Sequence, residues 1–125
     1  MAEYFVRVCP DGQIDIVEYT GAGPLFEFFR DQIGCSSIEI VKSLSGFNHR
    51  MVVDECFVLH DPLPPCNVIA SYYYSRLQYM ILGTVVIGCD GYRDGEPDVV
   101  GFTLSDAMSL VFDARRIRAA TANII

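Results

Sequence analysis

The residues from Met80 to Cys89 form the most apolar run of the chain, and half of them are β-branched. A strand that is apolar on both faces must be covered on both faces, so this run predicts a central strand between two layers. The longest apolar stretch, Tyr79–Cys89, is too short to cross a membrane, because a spanning helix needs about 20 residues. We therefore expect a globular domain built around this strand, and no membrane association.

Two strand-like runs, residues 3–9 and 13–19, are joined by Pro10-Asp11-Gly12. Proline presets φ for the turn and glycine takes the left-handed position after it, so a β-hairpin is predicted. Pro24 and Gly34 then suit the first position and the C-terminal end of a short helix. Its expected buried stripe consists of Leu25, Phe26, Phe29 and Ile33.

Further strands are expected at residues 37–42, 50–53 and 57–59, before a proline-rich break at residues 61–65. The segment from Val68 to Leu77 begins after a plausible N-cap, Asn67, but its type stays open. An acidic loop at residues 90–98 and a short extended piece, Val99-Val100, are expected to follow the central strand.

A final helix is predicted over residues 104–115, capped by Thr103 or Ser105. Helical spacing gives it a buried stripe made of Leu104, Ala107, Met108, Val111 and Phe112. Residues 113–125 form a basic helix end or tail. Because strands and helices do not alternate strictly, residues 1–125 are expected to be one α+β domain with a mixed or mainly antiparallel sheet and two or three helices.

The charge balance restricts the partners. Sixteen acidic and nine basic residues give a net charge of −7, which disfavours binding to nucleic acid phosphates. The start of the sequence lacks the basic and apolar regions of a secretory signal, so a cytoplasmic location is expected. The odd number of cysteines, five, predicts reduced and mostly buried thiols.

No catalytic or metal-binding pattern is recognisable. Cys56, His60 and Cys66 lack the Cys-x-x-Cys spacing of a zinc site, and the acidic loop 90–98 fails the calcium-loop template at Tyr92 and Gly101. Cys66 is the best candidate for a nucleophile, because it precedes a predicted helix start, but no base is expected beside it. We therefore expect a protein without catalytic residues, metal or cofactor that is not an enzyme.

Asn67 has two interpretations. It caps the following helix, or it faces a ligand groove together with Ser71, bordered by Glu39 and Thr84 on neighbouring strands. A nucleotide in that groove would need a cation facing its phosphate, and the plausible donors are Arg50 and Arg76.

Tyr72, Tyr73, Tyr74 and Tyr79 form a cluster that one helix or strand face cannot bury completely. Tyrosine is common at interfaces because its ring buries area while its hydroxyl stays wet. The cluster is either partly buried with its hydroxyls at the surface or part of an interface. We expect a homodimer with some of these tyrosines at its interface; in a monomer they would instead be candidates for contact with a foreign partner.

Three segments together resemble a known family: Ile33-Gly34 with Ile38–Val41, the stretch Pro65–Ser71, and Ile81–Ile87. In this order they are similar to the phage- and mobile-element-borne family called domain of unknown function 3846. The resemblance implies a phage or conjugative element and the host cytoplasm, and it implies no mechanism.

The function expected from these observations is binding. The leading hypothesis is a phage or mobile-element accessory protein that binds a host defence or regulatory protein. One alternative is a protein that binds or sequesters a small molecule such as a nucleotide signal, and the other is an acidic mimic of nucleic acid.

Overall fold

The computed structural model describes residues 2–123, which form a six-stranded antiparallel sheet and three helices. The elements are β1 (Glu3–Val8), β2 (Ile14–Tyr19), α1 (Leu25–Ile33), β3 (Ile38–Lys42), β4 (His49–Asp54), α2 (Val68–Ser75), β5 (Val85–Arg93), β6 (Glu96–Val100) and α3 (Leu104–Ala120). The strand order is β2-β1-β5-β4-β3, and β6 pairs with β5. The predicted α+β class with a mainly antiparallel sheet is confirmed.

The central strand lies where it was predicted, but its bounds differ. Val85 and Val86 are both fully buried, so the strand is covered on both faces. However, β5 begins at Val85 rather than Met80, because Leu82 instead forms an isolated bridge with Cys66 and Gly83 turns the chain at a positive φ of 85°.

The predicted acidic loop 90–98 is instead the β5–β6 hairpin, which turns at Asp94-Gly95. Both turn residues have positive φ, as a tight hairpin turn requires. The carboxylates are accommodated because Arg93 reaches Asp98 across the hairpin and Glu3 on β1. Likewise, residues 57–59 form a short 3₁₀ helix rather than a strand.

The sheet separates two apolar layers. Val85 and Ile87 face α2 and α3, whereas Val86 faces α1. This alternation is the period-2 geometry of a strand. The predicted hairpin between β1 and β2 is confirmed, and Gly12 at its turn has a φ of 91°.

α1 lies between Pro24 and Gly34 as expected, but α3 extends past the predicted residue 115 to Ala120, and the buried faces of both helices differ from the expectation. α1 ends before Gly34, which has a φ of 78°. Phe26, expected in its buried stripe, is exposed, and Phe28 packs instead in the apolar layer between α1 and the sheet. Thr103 caps α3, which continues to Ala120.

The predicted buried stripe of α3 is wrong at three of its five positions, since Leu104, Met108 and Phe112 are exposed. The face turned to the sheet contains Ala107, Leu110, Val111, Ala114 and Ile117. The alanines on this face are fully buried, and small side chains let the helix approach the sheet closely.

Between residues 2 and 123, the structure contains no helix with the length and hydropathy that a bilayer-spanning segment requires. Residues 113–120 continue α3, whereas Ile124 and Ile125 of the expected basic tail lie outside the described residues.

Candidate functional site

An open cavity of about 660 Å³ lies where several strand ends meet. β1 ends at Val8, β4 ends at Asp54 and β5 begins at Val85, and these neighbouring strands are antiparallel, so the three ends share one edge of the sheet. The β1–β2 turn, the end of α1, the proline-rich segment 60–65 and Gly83-Thr84 form its walls. We call this cavity the acidic groove.

A histidine–carboxylate pair forms part of the groove. His60 donates from Nε2 to Oδ2 of Asp54 at 2.6 Å, and the Cys56 N–H donates to Oδ1 at 2.9 Å. The Asp54 side chain is only 10% exposed, so it offers little of its carboxylate to solvent. The pair holds the segment between Cys56 and His60 against the end of β4.

The groove lining offers many hydrogen-bond acceptors and few donors. Its described lining includes three carboxylates, on Asp11, Asp54 and Asp61, and no lysine or arginine, but only Asp11 and Asp61 are exposed to solvent. Four of its lining residues are prolines, which have no backbone N–H to donate. A cationic, partly apolar group therefore suits this lining, whereas an anionic phosphate would be repelled by the carboxylates and would have no lysine or arginine to pair with.

The structure confirms that Asn67 is the N-cap of α2, since its Oδ1 accepts from the Ala70 N–H at 3.1 Å. Its Nδ2 donates to the carbonyl oxygens of Val8 at 3.0 Å and Gly83 at 2.9 Å. The side chain is buried and all its polar atoms have protein partners. Asn67 thus ties α2 to β1 and to the wall of the acidic groove.

Ser71 is buried in the same network. Its hydroxyl donates to the carbonyl of Asn67 at 2.7 Å and accepts from the Ile81 N–H at 2.7 Å. These bonds hold the segment before β5 against α2, and they occupy the hydroxyl that the sequence suggested for a ligand.

The structure does not bring the predicted ligand residues around one groove. Thr84 lines the acidic groove beside α1. Glu39, by contrast, pairs with Val53, whose side chain packs in the layer of α2 and α3, so Glu39 lies on the opposite face of the sheet.

The two arginines predicted to face a phosphate have other partners. Arg50 forms a salt bridge with Asp90. The Arg76 guanidinium stacks 4.6 Å from the Tyr72 ring centroid and donates to the Leu44 carbonyl at 3.3 Å. Neither arginine lines the acidic groove.

The tyrosine cluster is divided between core and surface. Tyr73 is buried, and its hydroxyl donates to Oδ2 of Asp113 at 2.6 Å, so it is not available for the predicted interface. Burial, reinforced by Asp113, raises the pKa of Tyr73 far above its usual value. Tyr72 is half-buried, whereas Tyr74 and Tyr79 remain exposed.

All five cysteines are free, but the prediction that they are mostly buried is wrong. Four are half-buried and Cys66 is exposed, with its Sγ donating to Met80 Sδ at 3.7 Å. Burial raises the pKa of Cys35 and of Cys89, which disfavours their thiolates. Among residues 2–123, no three side chains of the His, Cys, Asp or Glu type are placed to hold a metal ion.

Sequence reasoning missed the pairing of Asp54 with His60, and it missed a second cavity of about 550 Å³ between the β3–β4 loop and α3. In that cavity Ser45 Oγ and His49 Nδ1 are 2.8 Å apart, and burial lowers the pKa of His49 although Asp106 opposes the shift. The only sequence signal for the pairing of Asp54 with His60 was the proline-rich segment 61–65. This segment has to lie on the surface because it cannot join the sheet.

No protein-family model and no curated protein matches the chain. Among solved structures, it is similar to part of the "small RNA methyltransferase HEN1", with a TM-score of 0.60 and 14% identity. The match covers 90% of this chain and 16% of the methyltransferase chain, so this chain spans about one-sixth of that protein's length. At this identity the two chains share a fold, and the likeness carries no activity across.

Proposed function

We propose that this chain is a non-enzymatic binding protein that takes a cationic, partly apolar segment of a partner protein into the acidic groove. The observation that carries the proposal is the lining of the groove: two exposed carboxylates, on Asp11 and Asp61, and four prolines, with no lysine or arginine among the described lining residues. An arginine or lysine side chain matches this lining, because its charge complements the carboxylates and its apolar stem packs against proline rings.

The wall of the groove also supports contact with a larger partner. Val58, Leu59 and Leu63 lie in or beside the proline-rich segment, and all three are exposed. Apolar side chains next to a polar pocket are typical of surfaces that bind other proteins. The partner segment is therefore expected to place apolar residues beside its cation.

One feature favours binding over catalysis. Cys66, the candidate nucleophile, lies just before the N-cap of α2, which favours its thiolate, but its only hydrogen-bond partner among the described residues is the Met80 sulfur. A cysteine nucleophile also needs a base within hydrogen-bond reach, and the Met80 thioether cannot act as one.

The two alternatives receive less support. A nucleotide would need a cation in the groove, and no lysine or arginine lines it. A nucleic acid mimic would present its carboxylates unpaired, whereas arginines pair with five of the sixteen acidic residues: Glu3, Asp15, Asp90, Asp98 and Asp113.

The resemblance of three sequence segments to a phage and mobile-element family supports a biological setting for this binding. On that basis we propose an accessory protein that acts in the host cytoplasm on a host defence or regulatory protein. Such a partner would have to present a cationic, partly apolar segment to the acidic groove.

The proposal is tested with two capped pentapeptides, Leu-Arg-Leu-Arg-Leu and its charge-reversed counterpart Leu-Glu-Leu-Glu-Leu, in a fluorescence anisotropy titration. The arginine peptide should bind, and its affinity should fall as the salt rises from about 0.05 to 0.5 M, because the contact is between exposed charges. Asp61→Asn should weaken binding about two- to fivefold, as expected for a charge at the rim.

The control is Asp94→Asn, which removes an exposed carboxylate from the β5–β6 turn, away from the groove. It should leave the affinity unchanged. Equal binding of both peptides, or equal weakening by the two substitutions, would refute the proposal, because binding would then reflect net charge or apolar contact alone.

A further inference from the structure

α3 has apolar side chains on two faces, and the structure covers one of them. Leu104, Met108 and Phe112 point away from the sheet and are 47%, 58% and 74% exposed. Phe47, in the β3–β4 loop, is 93% exposed, but most of the α3 residues that share its cavity, Asp106, Leu110 and Asp113, lie on the other flank of the helix. We call Leu104, Met108 and Phe112 the outer apolar face.

The area of this face is that of an interaction surface. An aromatic side chain can bury roughly 150–250 Å², so the exposed part of Phe112 alone offers roughly 110–190 Å². Met108 and Leu104 extend it. A standard interface buries about 800 Å² per partner around an apolar centre, so this face can supply the centre of such an interface while polar neighbours supply its rim.

The shape of the outer face complements itself. Leu104, Met108 and Phe112 are spaced by four residues and therefore form one ridge along the helix. Ser105 and Ser109 lie beside the ridge and, with it, line a shallow groove of about 540 Å³. A ridge and a groove of the same spacing, side by side on one helix, allow two copies of that helix to interdigitate.

The local charge also permits self-association. The chain has a net charge of −7, but α3 contains three arginines and two aspartates. Two copies that meet through α3 therefore avoid the acidic parts of both chains, where like charges would repel.

We propose that a second copy of this chain covers the outer apolar face, with the two α3 helices packed antiparallel about a two-fold axis near Met108. Packing of such ridges gives a crossing angle of about 50°, which confines the contact to one turn on either side of the crossing. Leu104 of each copy then lies against Phe112 of its partner. The tyrosine cluster stays outside this interface, and the acidic groove remains open because no residue of α3 lines it.

Sedimentation equilibrium tests the inference on the whole chain. The unmodified protein should show a mass approaching twice 13.9 kDa with rising concentration. Phe112→Ser should raise the dimer dissociation constant about tenfold or more, as expected at an interface centre. The matched control is Phe26→Ser, which removes a phenylalanine that is 51% exposed on α1 and should leave dimerisation unchanged.

Disulfide trapping tests the two-fold axis. In a background with the exposed Cys66 replaced by serine, Met108→Cys should cross-link to its own copy, because this position lies beside the axis. Phe26→Cys should not cross-link at the same concentration. Because the disulfide is covalent, the cross-linked dimer accumulates even where the dimer is only partly populated.

The inference is overturned if the unmodified protein stays at 13.9 kDa up to a concentration of about 100 μM. It is also overturned if Phe112→Ser leaves the dimer intact, or if Tyr74→Ser with Tyr79→Ser dissociates it, because the interface would then lie elsewhere. None of these outcomes affects the peptide titration, which tests the acidic groove separately.

Discussion

Replacing Asn67 with alanine tests whether one buried amide holds the wall of the acidic groove. The substitution removes three hydrogen bonds: the cap to the Ala70 N–H and the two donations to Val8 and Gly83. Loss of an N-cap costs about 1 kcal/mol. Each lost donation to a carbonyl costs about 0.5–1.5 kcal/mol, so the expected total is about 2–4 kcal/mol.

The matched control is Thr103→Ala in α3. Thr103 also caps a helix through its side chain, which accepts from the Asp106 N–H at 3.1 Å, but it is exposed and makes no bond to a distant strand. Its replacement should cost only the cap, about 1 kcal/mol. The difference between the two variants therefore isolates the donations to Val8 and Gly83.

Urea unfolding followed by circular dichroism measures both free energies by linear extrapolation. We expect Asn67→Ala to lower the free energy of unfolding by clearly more than Thr103→Ala, with similar slopes. If the two variants lose the same free energy, the bonds to Val8 and Gly83 contribute nothing, and the assignment of Asn67 as the tie between α2 and β1 is wrong.

Two further predictions concern charge and thiol chemistry. The hydrogen bond from Arg93, partly opposed by burial, lowers the pKa of Glu3. The stability that ionised Glu3 contributes is therefore present above its unfolded pKa and is lost as the pH falls through its folded pKa. Arg93→Gln should flatten the decline of the urea midpoint between about pH 5 and pH 2, and an unchanged decline would contradict this. In the native chain a disulfide reagent should modify Cys66 first, because Cys66 is exposed while burial raises the pKa of Cys35 and Cys89. Cys66→Ser should abolish the fast phase of thiol modification. A titration that finds fewer than five thiols in the unfolded parent protein would contradict the free state of all five.

Local signals in the sequence determined the parts of the fold that depend on neighbouring residues. The turn at Pro10-Asp11-Gly12, the end of α1 at Gly34 and the cap at Asn67 follow from backbone preferences and short-range hydrogen bonds, which operate within a few residues. The apolar run around Val85 predicted a central strand for a similar reason. Its apolar side chains alternate between both faces of the strand, so both faces have to be packed against other elements.

Tertiary packing decided which of several equivalent local patterns is used. α3 contains two apolar stripes that share Ala107 and Val111, and helical periodicity cannot choose between them. The sheet selects the stripe with Ala107 and Ala114, because small side chains allow close approach, and this leaves Met108 and Phe112 exposed.

Long-range register likewise decided the acidic groove. Asp54 and His60 meet because β4 ends beside the proline-rich segment, and Thr84 joins them because β5 begins at the same edge of the sheet. Sequence reasoning placed Glu39 with Thr84, but its pairing with Val53 puts Glu39 on the face of the sheet that packs against α2 and α3. A one-residue change of register would reverse the face of every side chain in the strand, and local sequence does not determine the register. Alternation along a strand shows which residues share a face, but only the partner strands and the helices packed on them determine which face lines the site.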